Sequence, residues 1–540
     1  MHVDIIPNRK SRPCVLLRET FRENGKVRHR TLLNISDMPM TRAMAVKRAL
    51  QGDFDDAAFS GINGCATLQG HKFGALYALC RVAHDIGLMD ILGKDKMGKL
   101  ALLMVVGQII FGKSRRALVE WASDQAVPDV LGIGGLDGPG FDEDDLYKTL
   151  DRLSERRYQI ETKLFKKRGK QCSELFLYDV TSSYLEGQCN ELGQWGYNRD
   201  KKNGKKQIVI GLLTDKDGDP VGVDVFEGNT SDPKTVIDQV MRLSDRFKVK
   251  NVVFVGDRGM LKSGPIESVK KSHFHYITAI TKPQIESLMH QGVLQLSMFD
   301  ETLGEVEQEG LRYVFRRNPM RAAEMADSRQ QRIEKAQRNA GRLSEKLVTS
   351  SRCSVDVAVR NAHRKLEALK IDKFARVEAE DRTIGVHLDE SALGEVSRLD
   401  GVYVLKTDTK ASDLDKETVH KVYKSLANVE RDFRTMKSEL NVRPVFVRKE
   451  RRTRGHVLVV TLALMLTREL ERRLQSLGAE VHRAVDTLNG WTVLQECIGN
   501  IHFNRLPAPS ERQQVILSAL SVKQPTSLPV YSNRRSSSRS

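Results

Sequence analysis

Residues 176–187, FLYDVTSSYLEG, form an apolar segment that ends on an acid, Asp179, with a run of small polar residues behind it. A second apolar segment, NVVFVGDRGML at 251–261, has the same form and ends on Asp257. Apolar runs rich in β-branched and aromatic residues are typical of strands buried in a sheet. The sequence therefore predicts two neighbouring strands whose ends present carboxylates to a common space.

The segments around these strands predict a mixed sheet with helices on its faces. ELFLYD (174–179), QIVIGLLTD (207–215) and PVGVDVFEG (220–228) are three predicted antiparallel strands, and an Asp-Gly turn joins the last two. A helix, the strand that ends on Asp257, a second helix and the closing strand HYITAI (275–280) follow. We therefore predict an α/β fold whose core is a ribonuclease H-like mixed sheet.

The charge balance indicates a polyanionic partner. The chain has 87 Lys and Arg against 70 Asp and Glu, a formal net charge of +17, which favours nucleic acid. Its seven scattered cysteines form no CxxC pair, and this excludes a disulfide framework and a zinc site. No apolar stretch reaches the roughly 20 residues that span a bilayer. We expect an intracellular, soluble protein without a membrane partner.

A third acid lies on a predicted helix, KETVHKVYKSLANVERDFRTMKSEL at 416–440. At 3.6 residues per turn, Tyr423, Glu430, Arg434 and Lys437 fall on or beside one face of this helix. An acid, an aromatic hydroxyl and two cations therefore point the same way. The face is long enough to follow several phosphates of a nucleic acid.

Three carboxylates are suited to phosphodiester chemistry. Hydrolysis and transfer require an activated oxygen nucleophile and a stabilised anionic transition state, and two magnesium ions held by hard carboxylate ligands provide both. A single strand-end aspartate more commonly accepts backbone N–H bonds in a turn. Asp179 and Asp257 together, with Glu430 downstream, favour a shared metal site instead.

These residues resemble the DDE transposases of bacterial insertion sequences, specifically the IS-four-like, YREK-type branch with the pattern Y-x2-R-x3-E-x6-K. The segment YKSLANVERDFRTMK has the tyrosine, glutamate and lysine at this spacing, but Leu426 stands at the arginine position. Asp179 and Asp257 match the two family aspartates, and Arg258 also follows the usual pattern. The resemblance extends over about residues 165–480.

The resemblance implies a transposase that cuts DNA at the ends of its own element and joins the freed 3′ hydroxyls to a target. It implies that Asp179, Asp257 and Glu430 hold two Mg²⁺ ions, for which Mn²⁺ would substitute. The expected partner is double-stranded DNA, both the terminal inverted repeats and the target. Pairing of two ends implies a homodimer in the DNA complex, and the expected location is the bacterial cytoplasm, at the nucleoid.

The resemblance also implies phosphate contacts on the glutamate helix, where either Arg434, one turn beyond Glu430, or the adjacent Arg431 would compensate for Leu426. The lysines of the loop RDKKNGKK are further candidates, for which a solvated hairpin loop is an equally supported interpretation. The residues expected to bind DNA are Lys201, Lys205, Arg258, Tyr423, Arg434 and Lys437.

Length and changes of periodicity predict several domains in the 540 residues. Between about 283 and 415 a basic helical stretch precedes shorter strand-like pieces, which we interpret as an inserted subdomain. The resemblance implies that this insertion before the glutamate helix is β-rich. The predicted regions are an N-terminal hairpin region (1–69), a helical DNA-binding domain (70–168), the two parts of the catalytic core (169–282 and 416–480), the insertion (283–415), and a C-terminal helical region with a basic tail (481–540).

Two alternatives stay open at this point. A ribonuclease H-like metal-dependent DNA nuclease would use the same acids to cut DNA without joining it. A catalytically inactive DNA-binding protein derived from a transposase would keep the fold and the basic surface, and Leu426 keeps this second alternative open. The products of a reaction with DNA distinguish all three.

Overall fold

The chain begins with a three-stranded antiparallel sheet, on which one helix packs through Ala43 and Val46. The second and third strands form the predicted hairpin, and its Asn24-Gly25 turn lies outside the described residues. These elements are β1 (His2–Ile6), β2 (Cys14–Glu23), β3 (Lys26–Asn34) and α1 (Met40–Leu50). The computed structural model describes residues 1–8, 12–23, 26–51, 66–134, 138–167, 175–200, 202–242, 252–261, 263–271, 274–498, 501–525 and 528.

A helical region follows, as predicted, although its first element is a strand that crosses the predicted boundary at residue 70. No single helix in the described ranges is both long and apolar enough to cross a membrane; one pair, Lys96–Ile110 with Arg115–Ser123, meets these criteria only jointly and is bent by 91°. The elements are β4 (Ala66–Lys72), α2 (Gly74–Asp85), α3 (Leu88–Leu92), α4 (Lys96–Ile110), α5 (Arg115–Ser123), α6 (Val127–Leu131) and α7 (Glu143–Lys167).

The central strands have the predicted order and directions. Three antiparallel strands are followed by two that run parallel to the first of them. The elements are β5 (Leu175–Tyr184), β6 (Gln207–Asp215), β7 (Pro220–Glu227), α8 (Asp232–Arg242), β8 (Val253–Gly256), α9 (Ser263–Lys271) and β9 (His275–Ala279). One prediction is wrong: Asp179 lies within β5 and not at its end, because the small side chains of Ser182 and Ser183 are fully buried and the strand continues against β6.

The insertion is richer in helix than predicted. Its longest helix has 31 residues and packs on the next helix and on a two-stranded sheet, with Ile333, Ala336 and Ala340 buried at helical spacing. The elements are α10 (Lys282–His290), β10 (Gly304–Gln308), β11 (Leu311–Arg317), α11 (Pro319–Thr349), α12 (Val355–Leu369), β12 (Ala375–Glu380), β13 (Thr383–Leu388), α13 (Glu390–Ser397) and β14 (Val402–Thr407). The predicted β-rich subdomain is therefore wrong in composition.

Three strands of the insertion extend the central sheet. They make it eight-stranded, in the order β10-β11-β14-β9-β8-β5-β6-β7. The strand predicted to close the series, β9, thus has a neighbour on each side, since Leu405 of β14 pairs with Ala279. These pairings join residues far apart in sequence, and local periodicity contains no signal for them.

The predicted glutamate helix is two consecutive helices, α14 (Lys416–Lys424) and α15 (Leu426–Ser438), separated at Ser425. The long helix α16 (Glu450–Leu474) then packs on α4, α7 and β7. The remaining elements are α17 (Val481–Asn489), β15 (Thr492–Ile498), β16 (Ile501–Arg505) and α18 (Glu511–Ala519). Because β15 pairs with β4, the C-terminal region contains a sheet as well as the predicted helices. The predicted basic tail, residues 532–540, lies outside the described residues.

Side chains of the helical region bind the outer edge of β7. Glu161 accepts a hydrogen bond from the Val223 N–H (3.1 Å), and Arg157 donates to the Val223 carbonyl (3.2 Å). From α16, Arg454 donates to the Val225 carbonyl at 2.7 Å. Edge strands with free backbone groups invite pairing with other chains, and these contacts cover the edge and hold the helices on the sheet.

Candidate active site

The parallel pairing of β5 and β8 brings the two predicted aspartates side by side. Tyr178 and Gly256 are the last aligned pair, so that Asp179 follows within β5 and Asp257 follows directly after the end of β8. The backbone N–H of the following residue binds each carboxylate: Val180 donates to Asp179 at 2.8 Å and Arg258 to Asp257 at 2.7 Å.

The predicted glutamate faces the same space. Asp179, Asp257 and Glu430 line one cavity of about 460 Å³. Glu430 is carried by α15, which packs against β5. Because the apolar face of α15, including Val429 and Met436, is buried, Glu430 is left on the exposed side. The structure thus brings the three predicted acids together.

The arrangement of the three acids changes the pKa of Asp179. Burial is the largest cause that raises the pKa of Asp179, to about 7, while the Val180 N–H lowers it. The charges of Glu430 and Asp257 raise the same pKa further. Like charges within electrostatic reach of a half-buried carboxylate disfavour its ionisation, and a bound cation would relieve this effect.

The donor set fits a divalent cation in its chemistry. Asp179, Asp257 and Glu430 offer only carboxylate oxygens, the ligands preferred by Mg²⁺ and Mn²⁺. In the described part of the chain, however, no three His, Cys, Asp or Glu side chains form a closed group that could hold a metal ion. The three carboxylates therefore share a cavity but do not converge on a single point.

Tyr423 lies beside the acids in spite of the break at Ser425. Burial is the main cause that raises the pKa of the Tyr423 hydroxyl, and the carboxylates of Asp257, Glu430 and Asp179 act in the same direction. The nearby Arg258 lowers the same pKa. Tyr423 therefore stays protonated at neutral pH and can donate a hydrogen bond into this region.

Lys437 lines the cavity but is ion-paired. Its Nζ lies 2.8 Å from Oδ1 of Asp200, which also accepts a hydrogen bond from Arg443. Nearby, Arg199 Nη2 lies 2.7 and 2.8 Å from the two carboxylate oxygens of Asp232. Sequence patterns did not single out Asp200 or Asp232, because a lone aspartate in a turn or at the start of a helix is common without a functional role.

The other predicted DNA contacts are differently placed. Arg434 is exposed and lines the cavity. Lys205 is not among the lining residues and pairs with Glu186 at 2.7 Å, whereas Lys201 lies outside the described residues. Leu426, at the arginine position of the family pattern, is partly buried and packs against the core.

Comparison with known protein families agrees with the predicted resemblance to DDE transposases. Residues 170–466 match the family described as Transposase DDE domain, and residues 3–59 match the IS1634 family transposase, N-terminal domain. No curated protein sequence matches the chain.

Two solved structures show a distant likeness to this chain. The piggyBac transposase synaptic complex with hairpin DNA is 10% identical, with 77% of this chain and 75% of that chain covered and a TM-score of 0.34. The Mos1 transposase paired-end complex with left transposon end is 12% identical, with 34% and 58% covered and a TM-score of 0.15. Neither score establishes a shared fold. The family match, by contrast, spans more than half of the chain, which therefore belongs to the DDE transposases and is a transposase of an insertion sequence.

Proposed function

We propose that this transposase cleaves double-stranded DNA at the terminal inverted repeats of its element and joins the freed 3′ hydroxyls to target DNA. The observation that supports this proposal is the single cavity lined by Asp179, Asp257 and Glu430 on a mixed sheet of eight strands. The order of β9, β8, β5, β6 and β7 supports a ribonuclease H-like core.

Asp179, Asp257 and Glu430 are the proposed ligands of two Mg²⁺ or Mn²⁺ ions. Bound divalent cations supply Lewis-acid stabilisation of the phosphate and lower the pKa of the attacking hydroxyl. Membership of the family implies that the reaction depends on a divalent metal. The identity of the ion and the number of ions, two per site, are part of the proposal. Asp179 lies within β5 and Asp257 directly follows β8, and this placement favours a rigid site, since strands hold side chains more precisely than loops do.

In this proposal, residues that line the cavity or lie beside it bind and orient the phosphate. Tyr423 donates a hydrogen bond from its protonated hydroxyl, and the exposed guanidinium of Arg434 binds phosphate oxygens in a bidentate manner. Lys437 has three N–H donors, of which Asp200 takes one, so that the others remain for DNA. Arg258 acts beside Tyr423, while Lys205 and Lys201 contact more distant phosphates.

The assembly and the branch of the family belong to the same proposal. Joining two ends of one element requires at least a homodimer in the DNA complex. The reaction takes place on DNA in the bacterial cytoplasm, at the nucleoid. Tyr423, Glu430 and Lys437 at the Y-x2-R-x3-E-x6-K spacing support the IS-four-like, YREK-type branch.

Product analysis tests the proposed activity. The DNA that flanks the gene supplies the terminal repeats, which are placed on a labelled donor fragment and incubated with a target plasmid and Mg²⁺. We expect labelled DNA covalently joined to the plasmid. Breaks without joined product would indicate the nuclease alternative, and binding without breaks would indicate an inactive DNA-binding protein.

A further inference from the structure

A second cavity, of about 360 Å³, lies next to the catalytic cavity. Arg443 lines both of them. The second cavity is lined by the buried Gln108 and Arg115 and by the exposed Lys113 and Phe446, so that it connects the protein core with solvent. Its volume is within the range of ligand-binding sites in proteins.

Arg115 is a buried cation in this cavity. Among the described residues, no carboxylate pairs with its side chain. It is 6% exposed, and its Nη2 lies 3.2 Å from Oε1 of Gln108 and 2.9 Å from Nδ1 of His456. Both partners are uncharged, since burial and the charge of Arg115 lower the pKa of His456 to about 3. The positive charge of Arg115 is therefore not neutralised.

The other buried arginines differ from Arg115 in this respect. In the described ranges three further arginines are buried to a similar degree, and each has a carboxylate partner. The pairs are Arg157 with Asp224, Arg312 with Glu305 and Arg468 with Asp432. A buried charge without a counter-ion costs free energy, so the exception at Arg115 points to an anion that comes from outside the chain.

The surroundings of Arg115 also favour an anion. Lys113 adds a positive charge to the lining, and Arg443, which shares the carboxylate of Asp200 with Lys437, lies there as well. The nine-residue helix α5 begins at Arg115. The positive end of a helix stabilises an anion, with Ser114 as its N-cap. Tyr147 and the exposed Phe446 add aromatic surface, against which a sugar or a base can pack.

We propose that this second cavity binds a backbone phosphate of the DNA strand, at a distance from the phosphate that reacts. The proposal rests on the proposed function, because that function supplies DNA as the ligand. Arg443, shared by the two cavities, makes a continuous path for one strand. Arg115 is the main contact with the phosphate, and Lys113 is a contact at the rim.

The test measures DNA affinity without catalysis. Fluorescence anisotropy measures the binding of the full chain to a fluorescein-labelled duplex of about 30 base pairs of random sequence, in the presence of EDTA. The dissociation constant Kd is determined at several KCl concentrations between about 50 and 300 mM. The variants are Arg115→Gln and Lys113→Ala. The matched control is Arg116→Gln, which removes the same charge from the adjacent position of α5, where the side chain is 79% exposed.

We expect Arg115→Gln to raise Kd about tenfold and to reduce the slope of log K against log salt by about one. For the control Arg116→Gln, we expect changes in log Kd and in the slope that are each at most about a third as large. Thermal unfolding shows whether Arg115→Gln folds. If it does not fold, the rim variant Lys113→Ala decides in its place. Wild-type affinity and slope in the deciding variant overturn the proposal.

A second measurement distinguishes DNA from free phosphate as the ligand of this cavity. Inorganic phosphate at about 10 mM is added to the wild type and to Arg115→Gln, and the melting temperature is measured. Stabilisation of the wild type alone, combined with equal DNA binding by both proteins, overturns the DNA assignment in favour of a free anion. If the wild type itself binds no DNA at any salt concentration, the proposed function fails, and this result is distinct from a loss confined to Arg115→Gln.

Discussion

Asp179 and Asp257 stand at the same level of two parallel strands, each one residue beyond the aligned pair Tyr178 and Gly256. This relationship depends on strand register alone. A shift of the register by one residue would turn one of the two carboxylates to the opposite face of the sheet. The third acid, Glu430, depends on the packing of α15 against β5. The sheet thus sets two positions of the site and a helix sets the third.

The first prediction concerns Glu430. We expect Glu430→Gln to reduce DNA cleavage by roughly three orders of magnitude or more, because it removes one proposed metal ligand but keeps the size of the side chain. DNA binding in EDTA should equal that of the wild type. The matched control is Glu417→Gln, an exposed glutamate on α14 that does not line the cavity, and it should cleave normally. Comparable cleavage by Glu430→Gln and the wild type would disprove the assignment.

The second prediction concerns metal binding. Calorimetric titration with Mn²⁺ should show about two sites per chain, and Asp179→Asn should remove at least one of them, because carboxylate ligands bind hard cations. Asp217→Asn changes an exposed aspartate in the turn after β6 and should titrate like the wild type. Equal titration curves for Asp179→Asn and the wild type would exclude Asp179 as a ligand.

Local sequence patterns predicted the two aspartate strands, because apolar runs that end on acids are visible without tertiary contacts. They could not predict Asp200, whose role depends on Lys437 and Arg443, more than 200 residues away in the chain. The same limit applies to β14, whose pairing with β9 crosses the whole insertion. The position of Asp179 within β5 was missed because small polar residues are typical of loops as well as of buried strands.

The third prediction concerns pH and His456. The pKa of His456 is about 3 in the folded protein, against an ordinary value near 6.5, because of burial and the charge of Arg115. The unfolded chain therefore binds more protons between these values, and the stability that neutral His456 contributes is complete above pH 6.5 and is lost as the pH falls toward 3. The variant His456→Gln, which cannot titrate, should show a smaller fall in melting temperature between pH 7 and 5. An equal fall in both proteins would contradict the assignment.

The last prediction concerns Asp200, whose buried carboxylate pairs with both Lys437 and Arg443 in the wall of the catalytic cavity. Asp200→Asn keeps a hydrogen-bond acceptor but removes the charge, and breaking a buried ion pair from one side costs about 3 kcal/mol of unfolding free energy. The two freed cations should then bind DNA about tenfold more tightly at low salt, with a steeper salt dependence.

Thermal unfolding and fluorescence anisotropy measure the two effects, with Asp381→Asn, in an exposed turn, as the control. A lowered melting temperature with unchanged DNA affinity would mean that Asp200 only holds the wall of the cavity together. Tighter DNA binding would mean that Asp200 also keeps Lys437 and Arg443 partly neutralised until a phosphate competes for them.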